Sequence, residues 1–585
     1  MKKNMLLVVL LIAAMILAMF AGCGAEPAAQ SAAQDAPEAE MQQEAASETT
    51  TAEAAEAETQ QTPVEPDSAA EPEELPEEEP VSVRESIQYP LCEPGEVEFS
   101  LFTSAGGMGG TSVETLDIYP SFQQAEKATG IKMTYNLAAP EATETKLNLI
   151  VASGDFPTFF TGLDMYYVSG RSAAIEDGVV TDLAPYLDEC APDYMNFVDE
   201  NPGMKKLIST DEGEIPFVAP KAAASYSGLS IRKDWLDDLG LEVPETYDEL
   251  TDVLDAFKKA YGCSDAMLLS SKFCGEHDTL CAGYNMNMLR GNIGSLAFEV
   301  IDGKVELFCQ SDGFVDYMKM LAGWKANGYI THYLEIGPFN VSNYVADDSC
   351  GVWVGGNNYF SDDWAPAYYS GSYDFKAIPM ADVTKTPGEA VELGGLEVSI
   401  DGEHAWSVTT ACDDVEMALN WLNWWYTDEG CLAANFGNEG EHYTMVDGTP
   451  IFTDLILHDP SGYGVFFATA IQLGASTPAS QHPARLDPRN TLENEVQQSC
   501  KDIWFPESRG TAYTYYGDMT AAESELYAAR AGDIGTYVEE YMGKVIDGTT
   551  DVEETYDEMI ENCFAMGLQD VLDVKQAAYD RYLNR

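Results

Sequence analysis

Basic residues are scarce in this chain. Its 585 residues hold 30 Lys and Arg against 99 Asp and Glu, a formal net charge of −69. A surface that acidic repels nucleic acid and anionic lipid as ligands. It suits a cationic ligand, or simply keeps an exposed protein soluble. Histidine is scarcer still. The six are His277, His332, His404, His442, His458 and His482, and none falls in H-E-x-x-H or in an i,i+4 pair. G-x-S-x-G, G-x-x-x-x-G-K and C-x-x-C are all missing. With them go the signatures of a zinc protease, a nucleophile elbow, a P-loop and a redox pair. Among 99 acids some Asp/Glu pair always mimics a glycosidase dyad, so that coincidence carries no weight.

What is present begins at the N-terminus. Met1-Lys2-Lys3-Asn4 is basic, and Met5 to Phe20 is an apolar run of about 16 residues. That is short of the roughly 20 that a spanning helix needs. Small residues, Ala21-Gly22, then precede Cys23. A basic start, an apolar stretch and a small-residue cleavage site make a secretory signal peptide, residues 1–22. Phe20-Ala21-Gly22-Cys23 resembles the lipobox of bacterial lipoproteins, although leucine is usual where Phe20 stands. The resemblance implies cleavage before Cys23, acyl chains such as palmitate on it, and a lipid anchor at the extracellular face of the cell membrane. Each buried CH₂ contributes about 0.8 kcal/mol, so two or three chains anchor stably.

Residues 24–80 hold 17 acids, no Lys or Arg and no aromatic. Such a segment cannot bury enough surface to offset its ordering entropy, and its charges extend it. It reads as a disordered tether between Cys23 and residue 88. Its Ala and Glu content would also suit a helix, which changes the reach and not the role. The acids of the tether and the two N-terminal lysines leave a net −54 on residues 81–585. Eleven cysteines follow Cys23, scattered and odd in number, so at least one is unpaired and no connectivity is assigned.

The remaining chain of about 500 residues is too long for one core and implies two lobes or domains. Val97 to Thr103, VEFSLFT, reads as a strand, followed by a loop with four glycines between Gly106 and Gly110. SFQQAEKATG is a helix closed by Gly130, IKMTYNL a second strand, ATETKLNLIVASG a helix stopped by Gly154, and TFFTG a third strand. A β-α-β-α-β opening implies a mostly parallel sheet with helices on both faces. Ligands of such sheets bind outside the carboxyl ends of the strands. Thr246 with Glu249 forms a capping box for a long helix. Trp353 inside VWV, and Trp421, Trp424 and Trp425 at helical spacing, read as core. The C-terminal stretch reads as helical with one turn at Asp547-Gly548.

Five stretches carry a resemblance in order: LNLIVASGDFPTFF, GVVTDLAPYLDE, GLSIRKDWLDDLGLEVPETYDEL, EGCLAANFGNEGEHYTMVDGTPIFTD and DVLDVKQAAYDRYLNR. From about Tyr89 to Arg585 the chain resembles the extracellular solute-binding lipoproteins of bacterial ABC importers, the carbohydrate-binding ones above all. The resemblance implies an α/β, two-lobed periplasmic-binding-protein-like fold of type II, with a hinge and a ligand cleft. The first lobe is expected at 89–225 and about 373–450, the second at about 226–372 and 451–585 with the C-terminal helices. The implied role is a monomeric, non-enzymatic receptor for a carbohydrate that docks on ABC permease subunits, with no cofactor. Relatives often carry a calcium loop where this chain reads AYGCSDAMLLS. Asp265, with Ser264 beside it, is the one carboxylate there, too few hard oxygen ligands for calcium, so no metal is expected.

Sugars are bound by flat aromatic faces and by charged or amide groups for the hydroxyls. In the loop after the third strand Asp164, Tyr166 and Tyr167 are candidates, with Asp164 near a position where smaller relatives bind hydroxyls. Tyr226, in AAASYSGLS ahead of the first hinge, is placed to face the cleft. Asn358, Tyr359 and Trp364 follow a second-lobe strand where relatives place a stacking aromatic. Arg509, Tyr513 and Tyr515 stand near the C-terminus. Each of these is equally readable as a packed aromatic or a surface charge. A cell-surface glycan-degrading enzyme, a receptor for a peptide or cationic solute, and a sensory or adhesive lipoprotein stay open as alternatives.

Overall fold

Two four-stranded sheets organise the chain, each with its own hydrophobic core. The computed structural model describes residues 84–105, 113–167, 170–222, 227–269, 279–286, 296–332, 341–360, 376–389, 391–394, 399–460, 464–474, 477–505, 510–512 and 517–585. In the first sheet β1 (Glu98–Ser104) pairs in parallel with β2 (Lys132–Ala138) and β3 (Phe159–Thr161). The helices Pro120–Thr129 and Thr143–Ser153 make the crossovers, as the sequence spacing implies. Gly130 and Gly154 close them in the left-handed conformation, with φ of 82° and 71°. Gly130 is required for a second reason: a Cβ there would come within 2.2 Å of the Cys92 carbonyl oxygen.

Both faces of this sheet are covered, because alternate residues of β1 are apolar on each side. Phe99 and Leu101 face the larger core, and Phe102 meets Phe160, Leu147 and Ala174 on the other side. Phe159 lies edge-on to Phe99 at 5.6 Å and against Trp406 and Trp421 at 5.5 Å each. Trp421, Trp424 and Trp425 are core residues, as their helical spacing implied. The indole N–H groups of these three and of Trp406 find no acceptor among the described residues. Each unpaired N–H costs about 1–3 kcal/mol. Burying some 150–250 Å² of indole contributes about 4–6 kcal/mol, so the ring area wins.

The second sheet runs β5 (Asp265–Leu268), β8 (Cys350–Gly356), β4 (Ser227–Arg232), β9 (Ala377–Pro379). β5 and β8 are parallel; β4 is antiparallel to β8 and β9. Its core takes in Leu229, Leu254, Phe257, Leu321 and Trp324, and extends to Ile534, Val538 and Val571 of the C-terminal helices. The Thr246/Glu249 capping box is present on the Tyr247–Tyr261 helix. The hairpin β6 (Phe298–Ile301) and β7 (Lys304–Leu307) packs on the same core. β10 (Glu392–Gly394) pairs in parallel with β14 (Gly510–Ala512).

The chain returns to the first sheet with β11 (Trp406–Val408), antiparallel to β3. Residues 218–222 and 399–406 pair where the chain passes between the sheets, through Val218–Trp406 and Lys221–Ile400. β9 belongs to a segment expected in the first lobe, yet it hydrogen-bonds β4, and Met380 and Val383 join the second core. The hairpin β12 (Tyr443–Val446) and β13 (Thr449–Phe452) forms a satellite core with Phe436, Ile456 and Leu473. Phe436 ends the Asp428–Phe436 helix, which follows the first-core helix Val415–Trp424, so 451–473 packs on that side.

The C-terminal stretch is three helices, Ala521–Ile546, Val552–Ala565 and Leu568–Leu583. A second break at Gly567, with φ of 102°, therefore adds to the expected turn at Asp547-Gly548. Cys190, Cys263, Cys350, Cys500 and Cys563 are buried thiols, not halves of disulfides.

Candidate ligand cleft

In open parallel sheets the loops at the strand carboxyl ends converge, and ligands bind there. On the first sheet those ends are Ser104, Ala138 and Thr161. Gly162 follows in the left-handed conformation, and the short helix Leu163–Tyr166 starts at once. The Tyr166 ring lies over Gly162, where a Cβ would come within 2.9 Å of it. The Tyr166 phenol is pushed up by burial and by the charges of Glu403 and Glu144. Asp164 shares that helix; its side chain lies outside the described residues. Tyr167 is engaged locally, donating to Asp177 Oδ2 at 2.6 Å.

The same edge holds a group that sequence reasoning did not single out. Because β11 is antiparallel to β3, the residues just before Trp406 fall beside Thr161. Gly162 N–H donates to the Ala405 carbonyl at 3.2 Å. The turn Asp401-Gly402-Glu403-His404 is closed by His404 Nδ1 to Asp401 Oδ2 at 2.7 Å, and the His404 N–H donates to Oδ1 at 3.2 Å. Burial opposes the charge on both partners, and their mutual bond outweighs it. The Asp401 carboxyl is thus held below its ordinary range and the His404 imidazole above. The D-x-x-H spacing was the available signal.

On the second sheet the parallel carboxyl ends are Leu268 and Gly356. Gly356 pairs with Ser227, so β4 begins at the same edge. The turn Asn357–Phe360 follows. Asn357 Nδ2 donates to Glu493 Oε1 at 2.8 Å, and Asn494 Nδ2 donates to the Phe360 carbonyl at 2.6 Å. The Glu493 carboxyl is pushed up by burial, against the Asn357 hydrogen bond. No local signal reveals this pair, since 136 residues separate the partners.

Asn358 and Tyr359 lie in that turn, and their side chains are outside the described residues. So are Cys23, the loop Gly106 to Gly110, Tyr226, Trp364, Arg509, Tyr513 and Tyr515. The structure therefore brings Tyr166 together with Glu403 and the Asp401–His404 turn, and the Asn357 turn together with Glu493.

Asp265, in the AYGCSDAMLLS stretch, is fully buried and already engaged. Its oxygens accept from the Thr331 and His332 N–H groups at 2.7 Å each, and Oδ2 meets His332 Nδ1 at 2.8 Å. Among the described residues no three His, Cys, Asp or Glu side chains are grouped to hold a metal. A groove of about 510 Å³ opens between the Tyr247–Tyr261 and Phe314–Ala326 helices. It holds none of the expected ligand residues. Its aromatic walls Tyr247, Tyr284 and Trp324 are buried, and Lys385 Nζ covers the Tyr284 ring at 4.6 Å. The strand ends, with half-buried polar groups, are the better candidate.

Two α/β sheets with separate cores, paired segments crossing between them and polar groups at the strand ends define a two-lobed binding protein of the periplasmic-binding-protein-like class. The chain belongs to the bacterial extracellular solute-binding protein family, whose signature matches residues 121–436. It is 22% identical over 538 residues to the fructooligosaccharide ABC transporter substrate-binding protein FusA of Streptococcus pneumoniae, covering 85% of this chain and 92% of that one. It is 30% identical over 143 residues to the lipoprotein LipO of Bacillus subtilis, 24% of this chain and 27% of that one. Its fold is similar to a crystal structure of an alginate-binding protein without calcium ion, with a TM-score of 0.64 and 22% identity, over 83% of this chain and 98% of that one. The names of the fructooligosaccharide and alginate relatives are those of binding proteins, not of enzymes.

Proposed function

We propose that this protein is a lipid-anchored receptor that captures an oligosaccharide at the outer face of the cell membrane and delivers it to an ABC importer. The observation that carries this reading is the end-to-end similarity to a fructooligosaccharide substrate-binding protein, 85% of this chain against 92% of that one. The lipobox at Cys23 and the acidic segment behind it support the anchor and the tether. The two lobes close on the solute through the crossings at 218–222 and 399–406, and the chain performs no chemistry on it. Asp164, Tyr166, Tyr226, Asn358, Tyr359, Trp364, Arg509 and Tyr513 line the cleft. The protein acts as a monomer with the permease subunits as its partners.

Calorimetric titration of the full chain against a panel of oligosaccharides tests the reading. At least one is expected to bind with micromolar affinity or better, and Tyr359→Ala and Trp364→Ala are expected to lose it. Release of fragments from the sugar would instead make the protein an enzyme. The anchor is tested separately: Cys23→Ser abolishes palmitate labelling and shifts the protein out of the membrane fraction.

A further inference from the structure

We propose that the solute is an uncharged, hydroxyl-rich oligosaccharide rather than an oligouronate, and that Asn357 and Glu493 select it at the carboxyl end of β8. The inference rests on the carbohydrate reading above and narrows it. Asn357 directly follows Gly356, the last residue of β8, so it stands at the ligand edge of the second sheet. Its amide gives one of its two N–H groups to Glu493 Oε1, and the second stays open beside the oxygens. That leaves Asn357 Oδ1 and Glu493 Oε2 without a hydrogen-bond donor among the described residues. Both side chains are half-buried. Two solvent-reachable acceptors beside one open amide N–H suit a hydroxyl, which both donates and accepts.

Sugar hydroxyls donate. A uronate carboxylate only accepts, and facing Glu493 it would meet a like charge where solvent screens poorly. Burial already lifts the Glu493 carboxyl, and no Lys or Arg among the described residues lowers it. The wider field acts in the same direction. A net −54 on residues 81–585 slows the approach of a polyanion and leaves a neutral sugar unaffected.

The test titrates the full chain with three panels: neutral tetrasaccharides (fructo-, malto-, xylo- and manno-), tetramers of galacturonate and mannuronate, and spermidine. Glu493→Gln accompanies the wild type. The glutamine keeps the acceptor toward Asn357 and replaces the open oxygen by a donor, so the fold is retained, which circular dichroism checks. Expected are a neutral sugar bound at micromolar affinity or better, uronates at least about 100-fold weaker, and a loss of about 10- to 100-fold for the neutral sugar in Glu493→Gln. A uronate that binds as tightly as the best neutral sugar overturns this inference and leaves the carbohydrate reading intact. Glu493→Gln within twofold of wild type overturns the role of the pair. Binding of spermidine alone, or of nothing in the three panels, counts against the carbohydrate reading itself.

Discussion

Gly228→Ala should destabilise the protein by about 2–4 kcal/mol, although alanine is the smallest side-chain addition there is. A Cβ built on Gly228 stands 2.3, 2.5 and 2.6 Å from Cδ1, Cγ and Nε1 of Trp504. Ordinary contact between carbon atoms is about 3.5–4.0 Å, so the indole has to retreat by about 1 Å or more. It has little room. Trp504 is 1% exposed, lies 6.0 Å from the Phe360 ring and donates through Nε1 to the Leu229 carbonyl at 2.9 Å. Overpacking of a filled site costs about 1–3 kcal/mol, and a strained or lost buried hydrogen bond adds about 1. Urea unfolding followed by fluorescence measures the effect. At a slope near 3 kcal/mol per M the midpoint falls by about 1 M. Trp504→Ala alone should cost about 3–5 kcal/mol through the cavity it leaves. In that background the added methyl has space, so Gly228→Ala should then cost less than about 0.5 kcal/mol. A neutral Gly228→Ala, or the same penalty in both backgrounds, would refute the reasoning.

Three further outcomes follow from the same kind of argument. The lifted His404 gives stability that is fully present below its unfolded value of about 6.5 and is lost as pH rises through the folded value; the lowered Asp401 gives stability present above about 3.9 and lost as pH falls through its folded value. Thermal-shift scans should therefore show the Asp401→Asn penalty largest near pH 5–6 and shrinking toward pH 9, and a penalty that grows over that range contradicts the pairing. Arg585→Ala removes a buried guanidinium bonded to Asp211 at 2.7 Å, Asp518 at 2.6 Å and the Ser209 carbonyl at 2.8 Å. A loss of about 3 kcal/mol in urea unfolding is expected, with Arg581 still holding Asp211. Burial pushes the Cys563 thiol up to about 11 and Cys500 up to about 12, the latter with help from Glu493. At pH 8 both should resist a thiol reagent in the folded protein and react in urea, as mass mapping of the modified peptides would show.

The elements legible in the sequence were those with a period or a cap. β1, β2 and their two helices carried alternation and glycine stops, and each falls where the pattern put it. The tryptophans of the Val415–Trp424 helix were legible as core because helical spacing puts them on one side. β9 was not legible as a member of the second sheet. It is three residues long, too short for a period, and its place is decided by β4 more than 140 residues earlier. Gly567 was read through because a lone glycine inside a long apolar pattern is tolerated in a helix, and only its positive φ reveals the break. At the candidate cleft Tyr166 was named from its loop, whereas Glu403 was not, since it comes beside Tyr166 only because β11 runs antiparallel to β3. Glu493 has no local mark at all: what makes it a candidate is a hydrogen bond to a residue 136 positions away.

The two candidate edges are each fastened to their own core, and on the proposed reading this determines how a solute is held. On the first sheet Gly162 ties the Asp401–His404 turn to the end of β3, and the crossing strand is bonded through Val218 N–H to Trp406 O at 2.9 Å and Trp406 N–H to Val218 O at 2.8 Å. On the second, Trp504 pins β4 two residues after it starts, and Asn494 holds the turn that carries Asn357. Arg581 adds a tie between them, reaching Asp211 beside the first core and Glu523 on a helix of the second. Tyr166 and Asn357 therefore belong to separately built surfaces. A solute that touches both gains most of its binding free energy only when both contacts form at once. Removing one edge should then cost nearly as much affinity as removing both, so Tyr166→Ala and Glu493→Gln are expected to combine to less than the sum of their separate effects.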